Sequence, residues 1–68
     1  MLEEIKKLKI GHSLDWKPFL STYNLEKINK NEYVINYTGD GWLQATVNLK
    51  QIKQIINGEL NLLSLNWV

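Results

Sequence analysis

The sequence predicts a small α+β domain: a short N-terminal helix, a three-stranded antiparallel meander, an amphipathic helix and a C-terminal strand. Three observations point there. Residues 37–49, YTGDGWLQATVNL, place Gly39-Asp40-Gly41 between two segments that alternate with period two. Leu49, Ile52, Ile55 and Ile56 then recur at helical spacing. A length of 68 residues without cysteine allows one domain, residues 1–68, whose core is necessarily small.

Residues 1–10 set Leu2, Ile5 and Leu8 three apart with Glu and Lys between, and Glu3 stands four before Lys7, so a short amphipathic helix is expected. Gly11 ends it. Gly11-His12-Ser13 reads as a connection into LDWKPF, where Pro18 biases Lys17 toward an extended conformation. Residues 20–28 can be counted on a helix through Leu20, Tyr23 and Leu25, yet Thr22, Tyr23 and Ile28 also suit a strand. The strand is favoured, because Asn29-Lys30-Asn31 is turn chemistry and EYVINYT after it is a run of strand formers.

Tyr33, Ile35 and Tyr37 alternate with Val34, Asn36 and Thr38, while Leu43, Ala45, Val47 and Leu49 alternate with Gln44, Thr46 and Asn48. Asp-Gly between such runs is a hairpin signal, since both residues tolerate the positive φ of tight turns. A phosphate-binding loop is excluded by context: a strand follows the glycines, so no helix N-terminus faces an anion, and neither G-x-G-x-x-G nor a Walker sequence is present. One aspartate, Asp40, cannot supply a calcium loop. Asn57-Gly58 stops the second helix, and residues 60–68 set Leu63, Leu65 and Trp67 on one parity, as a last strand with one buried face would.

Composition narrows function by what it lacks. Eight basic against seven acidic residues leave a net charge of +1, which creates no strong field for nucleic acid or an anionic membrane. All the basic residues are Lys, so the planar fork that reads guanine or grips phosphate in a bidentate manner is missing. The absence of cysteine removes disulfides, thiolate metal sites and cysteine nucleophiles, and no apolar run is long enough for a signal peptide or a membrane span. A cytoplasmic protein without membrane attachment is the expectation.

No catalytic constellation emerges. His12 and Asp15 form the only His-carboxylate spacing, in a stretch that reads as loop, and two ligands do not make a metal site. With one His and no G-x-S-x-G, neither Ser13, Ser21 nor Ser64 has support as a nucleophile, and Glu26 and Glu32 read as solvated charges at a hairpin end. No enzyme activity, cofactor or metal is expected.

The aromatic residues point toward binding. Trp42 shares the parity of Gln44, Thr46 and Asn48, so a solvated face there leaves it as an exposed anchor beside the turn, with Tyr37 nearby. In its size and lack of motifs the chain resembles the small proteins that phages and mobile elements encode. That resemblance implies a non-enzymatic inhibitor or adaptor of a host defence or nucleic-acid-processing protein, docking through Trp42, Gln44, Thr46, Asn48 and Tyr37. The alternative is a nucleic-acid-binding domain in which Trp42 and Tyr37 stack on bases and lysines touch phosphates. A hydrophobic C-terminal strand at a sheet edge further suggests a homodimer. If Trp42 is an exposed anchor, Trp42→Ala weakens partner binding while leaving the thermal midpoint nearly unchanged; a large fall in midpoint would place the ring in the core instead.

Overall fold

In the computed structural model, which describes residues 2–37 and 43–68, period-two alternation resolves into a four-stranded antiparallel sheet. The strands are β1 (Ser13–Trp16), β2 (Tyr23–Lys27), β3 (Tyr33–Tyr37) and β4 (Leu43–Val47), lying side by side in chain order. The register aligns Leu14, Leu25, Ile35 and Ala45 in one row across the sheet. Leu25, Tyr33, Ile35, Ala45 and Val47 are buried on this face, as the alternation demands.

The meander therefore has four strands where the sequence suggested three. Ser13, expected to close the connection, and residues 14–16, assigned to no element, form β1, with Trp16, opposite Tyr23, fully buried in the core. Two further bonds extend the pairing: Gly11 donates its N–H to the Lys27 carbonyl (2.8 Å), and Lys27 donates to the His12 carbonyl (3.1 Å). Gly11 adopts φ +87°, a conformation that an L side chain rarely takes, which explains glycine at the point where the chain swings into the sheet. Ser13 and Asp15 thus belong to a strand and cap no helix.

The Asn29-Lys30-Asn31 turn closes as expected. The Asn31 N–H donates to Asn29 Oδ1 (2.9 Å), Asn29 Nδ2 donates to Glu32 Oε1 (2.6 Å), and the Ile28 N–H donates to the Glu32 carbonyl (3.1 Å). β3 and β4 pair antiparallel up to Tyr37 opposite Leu43, the pairing a hairpin requires. The Gly39-Asp40-Gly41 turn itself and Trp42 lie outside the described residues.

The helices cover the apolar face. α1 (Leu2–Lys6) is shorter than the expected 1–10 but buries Ile5, and Lys6 lies 3.9 Å from Glu3, an i, i+3 pair instead of the Glu3–Lys7 pair. α2 (Leu49–Ile56) buries Ile52 and Ile55. Its N-terminus carries a reciprocal capping box: Gln51 N–H donates to Asn48 Oδ1 (2.8 Å) and Asn48 N–H donates to Gln51 Oε1 (2.9 Å). Asn57 caps the other end, and Gly58 at φ +78° turns the chain away.

The C-terminal strand is also corrected. Residues Leu62–Ser64 form a 3₁₀ turn, begun by Asn61, whose Oδ1 accepts the Leu63 N–H (2.9 Å). The expected parity fails at its start, where Leu62 is buried and Leu63 is exposed, and holds after it, where Leu65 and Trp67 pack against the core. Only Val68 reaches the sheet, exchanging both backbone bonds with Gln44 on the outer edge of β4 (3.0 and 2.9 Å).

One core results, with Ile5, Trp16, Leu25, Ile35, Ile52 and Ile55 all fully buried. The other sheet face carries Ser13, Asp15, Asn24, Glu26, Val34, Asn36, Gln44 and Thr46, none of them buried. Trp16→Ala, which removes the largest fully buried side chain, is expected to cost about 3–5 kcal/mol and abolish a cooperative unfolding transition in urea. Ile52→Val and Asn48→Ala each cost about 1 kcal/mol, lowering the thermal midpoint by roughly 4–8 °C.

Candidate functional site

The residues that sequence reasoning grouped for binding are divided among different structural tasks. Asn48 is spent on the α2 capping box. Gln44 and Thr46 do lie on the uncovered sheet face, but Gln44 belongs to a ladder of amides: its Nε2 donates to Asn36 Oδ1 (2.9 Å), and Asn36 Nδ2 donates to Asn24 Oδ1 (3.2 Å). Such cross-strand pairs hold register, each contributing about 0.2–1 kcal/mol. Tyr37 points the other way, toward the helix-covered side, at the end of the core.

Tyr37 there joins residues that the sequence did not single out. Tyr23 stands with its ring centroid 5.4 Å from that of Tyr37, at 43° between planes, and 6.1 Å from that of Trp67, at 29°. Both separations fall in the range of favourable aromatic pairs. Trp67 is fixed by a hydrogen bond from its indole Nε1 to the Leu62 carbonyl (3.1 Å). The 3₁₀ turn and the Val68–Gln44 pair hold the tail so that this ring lies back over Tyr23.

These rings, with Ser21, Leu43 and Leu63, line a cleft of about 310 Å³. A second depression of about 270 Å³, with Phe19 and Leu20 on its rim and Leu62 beneath, shares Ser21, Tyr23 and Leu63 with it. The two form one continuous surface. Leu20 is 93% exposed, Leu63 77%, Phe19 55% and Leu43 41%. These large apolar side chains are gathered in one place, not scattered singly over the surface. Phe19 and Leu20 follow Pro18 in the connection between β1 and β2, outside any regular element.

The chemistry available in this cleft is apolar contact plus the hydroxyl groups of Ser21, Tyr23 and Tyr37. His12 lies elsewhere, exposed ahead of β1, and among the described residues no three His, Asp or Glu side chains gather as metal ligands would. No helix among the described residues is long and apolar enough to cross a membrane.

A signal for this surface was present in KPFLS: two large apolar residues directly after proline, in a stretch with no period to bury them. The role of Leu63 and Trp67 was hidden by the even alternation of the tail.

A second cleft, of about 420 Å³, opens at the other end of the core layer, where Lys6, Lys27, Lys30 and Lys50 surround Tyr33. Tyr33 and Tyr37 stand four residue steps apart at the two ends of β3, about 13 Å of strand. Comparison of the chain with protein-family models, with curated proteins and with solved structures finds no match.

The double variant Leu20→Ser/Leu63→Ser changes only exposed positions, so its stability in urea is expected to stay within about 0.5 kcal/mol of the parent. A larger loss would mean that these side chains are packed in solution.

Proposed function

We propose that this protein is a non-enzymatic binding module that occupies the surface of another protein, and that the aromatic cleft at Tyr23, Tyr37 and Trp67 is where the partner docks. The observation that carries the reading is a preformed apolar surface whose rim residues Phe19, Leu20 and Leu63 are left to solvent. Ring stacking and the Trp67–Leu62 bond hold its floor before any partner arrives, which reduces the ordering cost of association.

The partner segment suited to it presents large apolar side chains, because the cleft offers few polar groups to satisfy. At about 310 Å³ the cleft sits at the low end for a small-molecule pocket and is bordered by exposed leucines, which favours a protein chain. Trp42, beside Leu43 in the chain, is proposed to extend this surface, with Gln44 and Thr46 at its polar margin.

In biological terms the reading is an inhibitor or adaptor, encoded by a phage or mobile element, that acts on a host defence or nucleic-acid-processing protein in the cytoplasm. Its support is the small size, the lack of a catalytic constellation in the sequence and the balanced charge. The second reading, a nucleic-acid-binding domain, needs stacking rings and lysines in one place. The described aromatic cleft and the lysine cleft lie at opposite ends of β3, which favours the protein-partner reading.

The test is a tagged pull-down from host lysate after nuclease treatment, at low and high salt, with the parent and with Leu20→Ser/Leu63→Ser in parallel. A stoichiometric protein retained in high salt by the parent and lost with the variant is expected. Retention by both would move the docking surface elsewhere. A parent that sediments as a dimer, with the variant monomeric, would give the surface to a second copy of this chain.

A further inference from the structure

The lysine cleft has features that solvated surface charge does not explain. Its four lysines come from four separate segments: Lys6 from the last turn of α1, Lys27 from the end of β2, Lys30 from the β2–β3 turn and Lys50 from the first turn of α2. They converge on one concavity. Among the described residues no acidic side chain lines it.

The acids nearest in sequence are directed elsewhere. Glu32 accepts from Asn29 Nδ2, and Glu26 shares the uncovered sheet face with Val34 and Thr46. Among the described residues the only ion pair is Glu3 with Lys6, at 3.9 Å and largely solvated. Lys27, Lys30 and Lys50 therefore keep uncompensated charges, and the Lys27 ammonium is held 5.7 Å from the centroid of the Tyr33 ring.

α2 adds to this field. Its first turn contains no acidic residue and carries Lys50, although the positive end of a helix favours the opposite sign, and its capping box is built from neutral amides. Concentrating cations at that end works against local stability unless an anion occupies the space between them.

We propose that this cleft binds an oligophosphate, an anion with two or more adjacent phosphoryl groups, held by Lys6, Lys27, Lys30 and Lys50. One phosphate monoester carries a charge of about −1.5 to −2, too little to balance even the three lysines that Glu3 does not pair, whereas linked phosphoryl groups approach that charge within one small volume. Each ammonium supplies three rotatable donors, which suits acceptor oxygens spread over several directions. A nucleic-acid backbone is a poorer fit, since it asks for a stripe of cations along its track and these lysines meet in one pocket.

The shared chemistry has two sources, a soluble nucleotide or inorganic oligophosphate and the triphosphate end of an RNA strand. The first experiment titrates inorganic tripolyphosphate into the full chain and follows amide shifts and heat. Saturable one-to-one binding is expected, with shifts at Lys27, Lys30 and Lys50 and an affinity that falls steeply between about 50 and 200 mM salt. Lys30→Gln/Lys50→Gln, at two exposed positions, weakens it by roughly tenfold or more, whereas Lys9→Gln/Lys17→Gln, which removes equal charge elsewhere, leaves it within about twofold. Melting curves of both variants verify the fold.

Absence of saturable binding, or equal weakening by both pairs, overturns the proposal. Comparable affinity for a nucleoside triphosphate and a triphosphate-ended oligonucleotide supports a soluble ligand; marked preference for the oligonucleotide supports the strand end. If an oligonucleotide with a 5′-hydroxyl binds as tightly, the cleft reads backbone phosphates and the oligophosphate assignment fails.

Discussion

The structure depends on a single packing layer between one face of a four-stranded sheet and two short helices. Trp16, at the end of the edge strand β1, is the largest of the described fully buried side chains, and it belongs to a cluster drawn from both helices, all four strands and the 3₁₀ turn. In a chain of 68 residues there is no second layer to compensate for its loss. Both helices are too short to persist alone, α1 with five residues and α2 with eight, so Ile5, Ile52 and Ile55 owe their helical setting to the sheet they cover.

One-sided packing dictates how the rest of the surface is used. The uncovered face must satisfy its own polar groups, and it does so through the Asn24, Asn36 and Gln44 amides laid across three strands. The two ends of the packed layer, at the two ends of β3, carry the clefts. One end closes on aromatic rings and exposed leucines, the other on Tyr33 and a ring of lysines. The two ends differ in character, and each proposal rests on one of them: the protein partner on the apolar surface, the oligophosphate on the cationic cleft.

The C-terminal segment links the fold to the apolar end. Asn61 starts the 3₁₀ turn, Leu62 anchors it in the core, and Val68 meets Gln44 on the edge of β4. Gln44 directs both backbone groups outward, and Thr46, two residues further, faces the same way, so the tail blocks that edge at one point only. Trp67, between the anchor and the edge, becomes a wall of the cleft because both neighbours are fixed.

Much of this was written locally. Tyr33 and Ile35 against Ala45 and Val47 gave a period of two long enough to place β3 and β4, Ile52 and Ile55 gave a period near 3.6 for α2, and the Asn29-Lys30-Asn31 turn was readable from side-chain chemistry. β1 was not legible, because four residues carry only Leu14 and Trp16 inward, and a strand that short is specified by its partner β2. The tail misled because Leu63, Leu65 and Trp67 alternate as a strand would, while Leu62 and Leu65 stand three apart, the spacing of the 3₁₀ turn that forms with Leu62 in the core. The candidate sites show the same division. The sequence by itself determined the residue types available to each surface, two large apolar residues after Pro18 and an all-lysine set of cations. Only the tertiary structure decided that Tyr23, Tyr37 and Trp67 meet at one end and Lys6, Lys27, Lys30 and Lys50 at the other, since those groupings join residues far apart in the chain through strand register and helix placement, which no local pattern encodes.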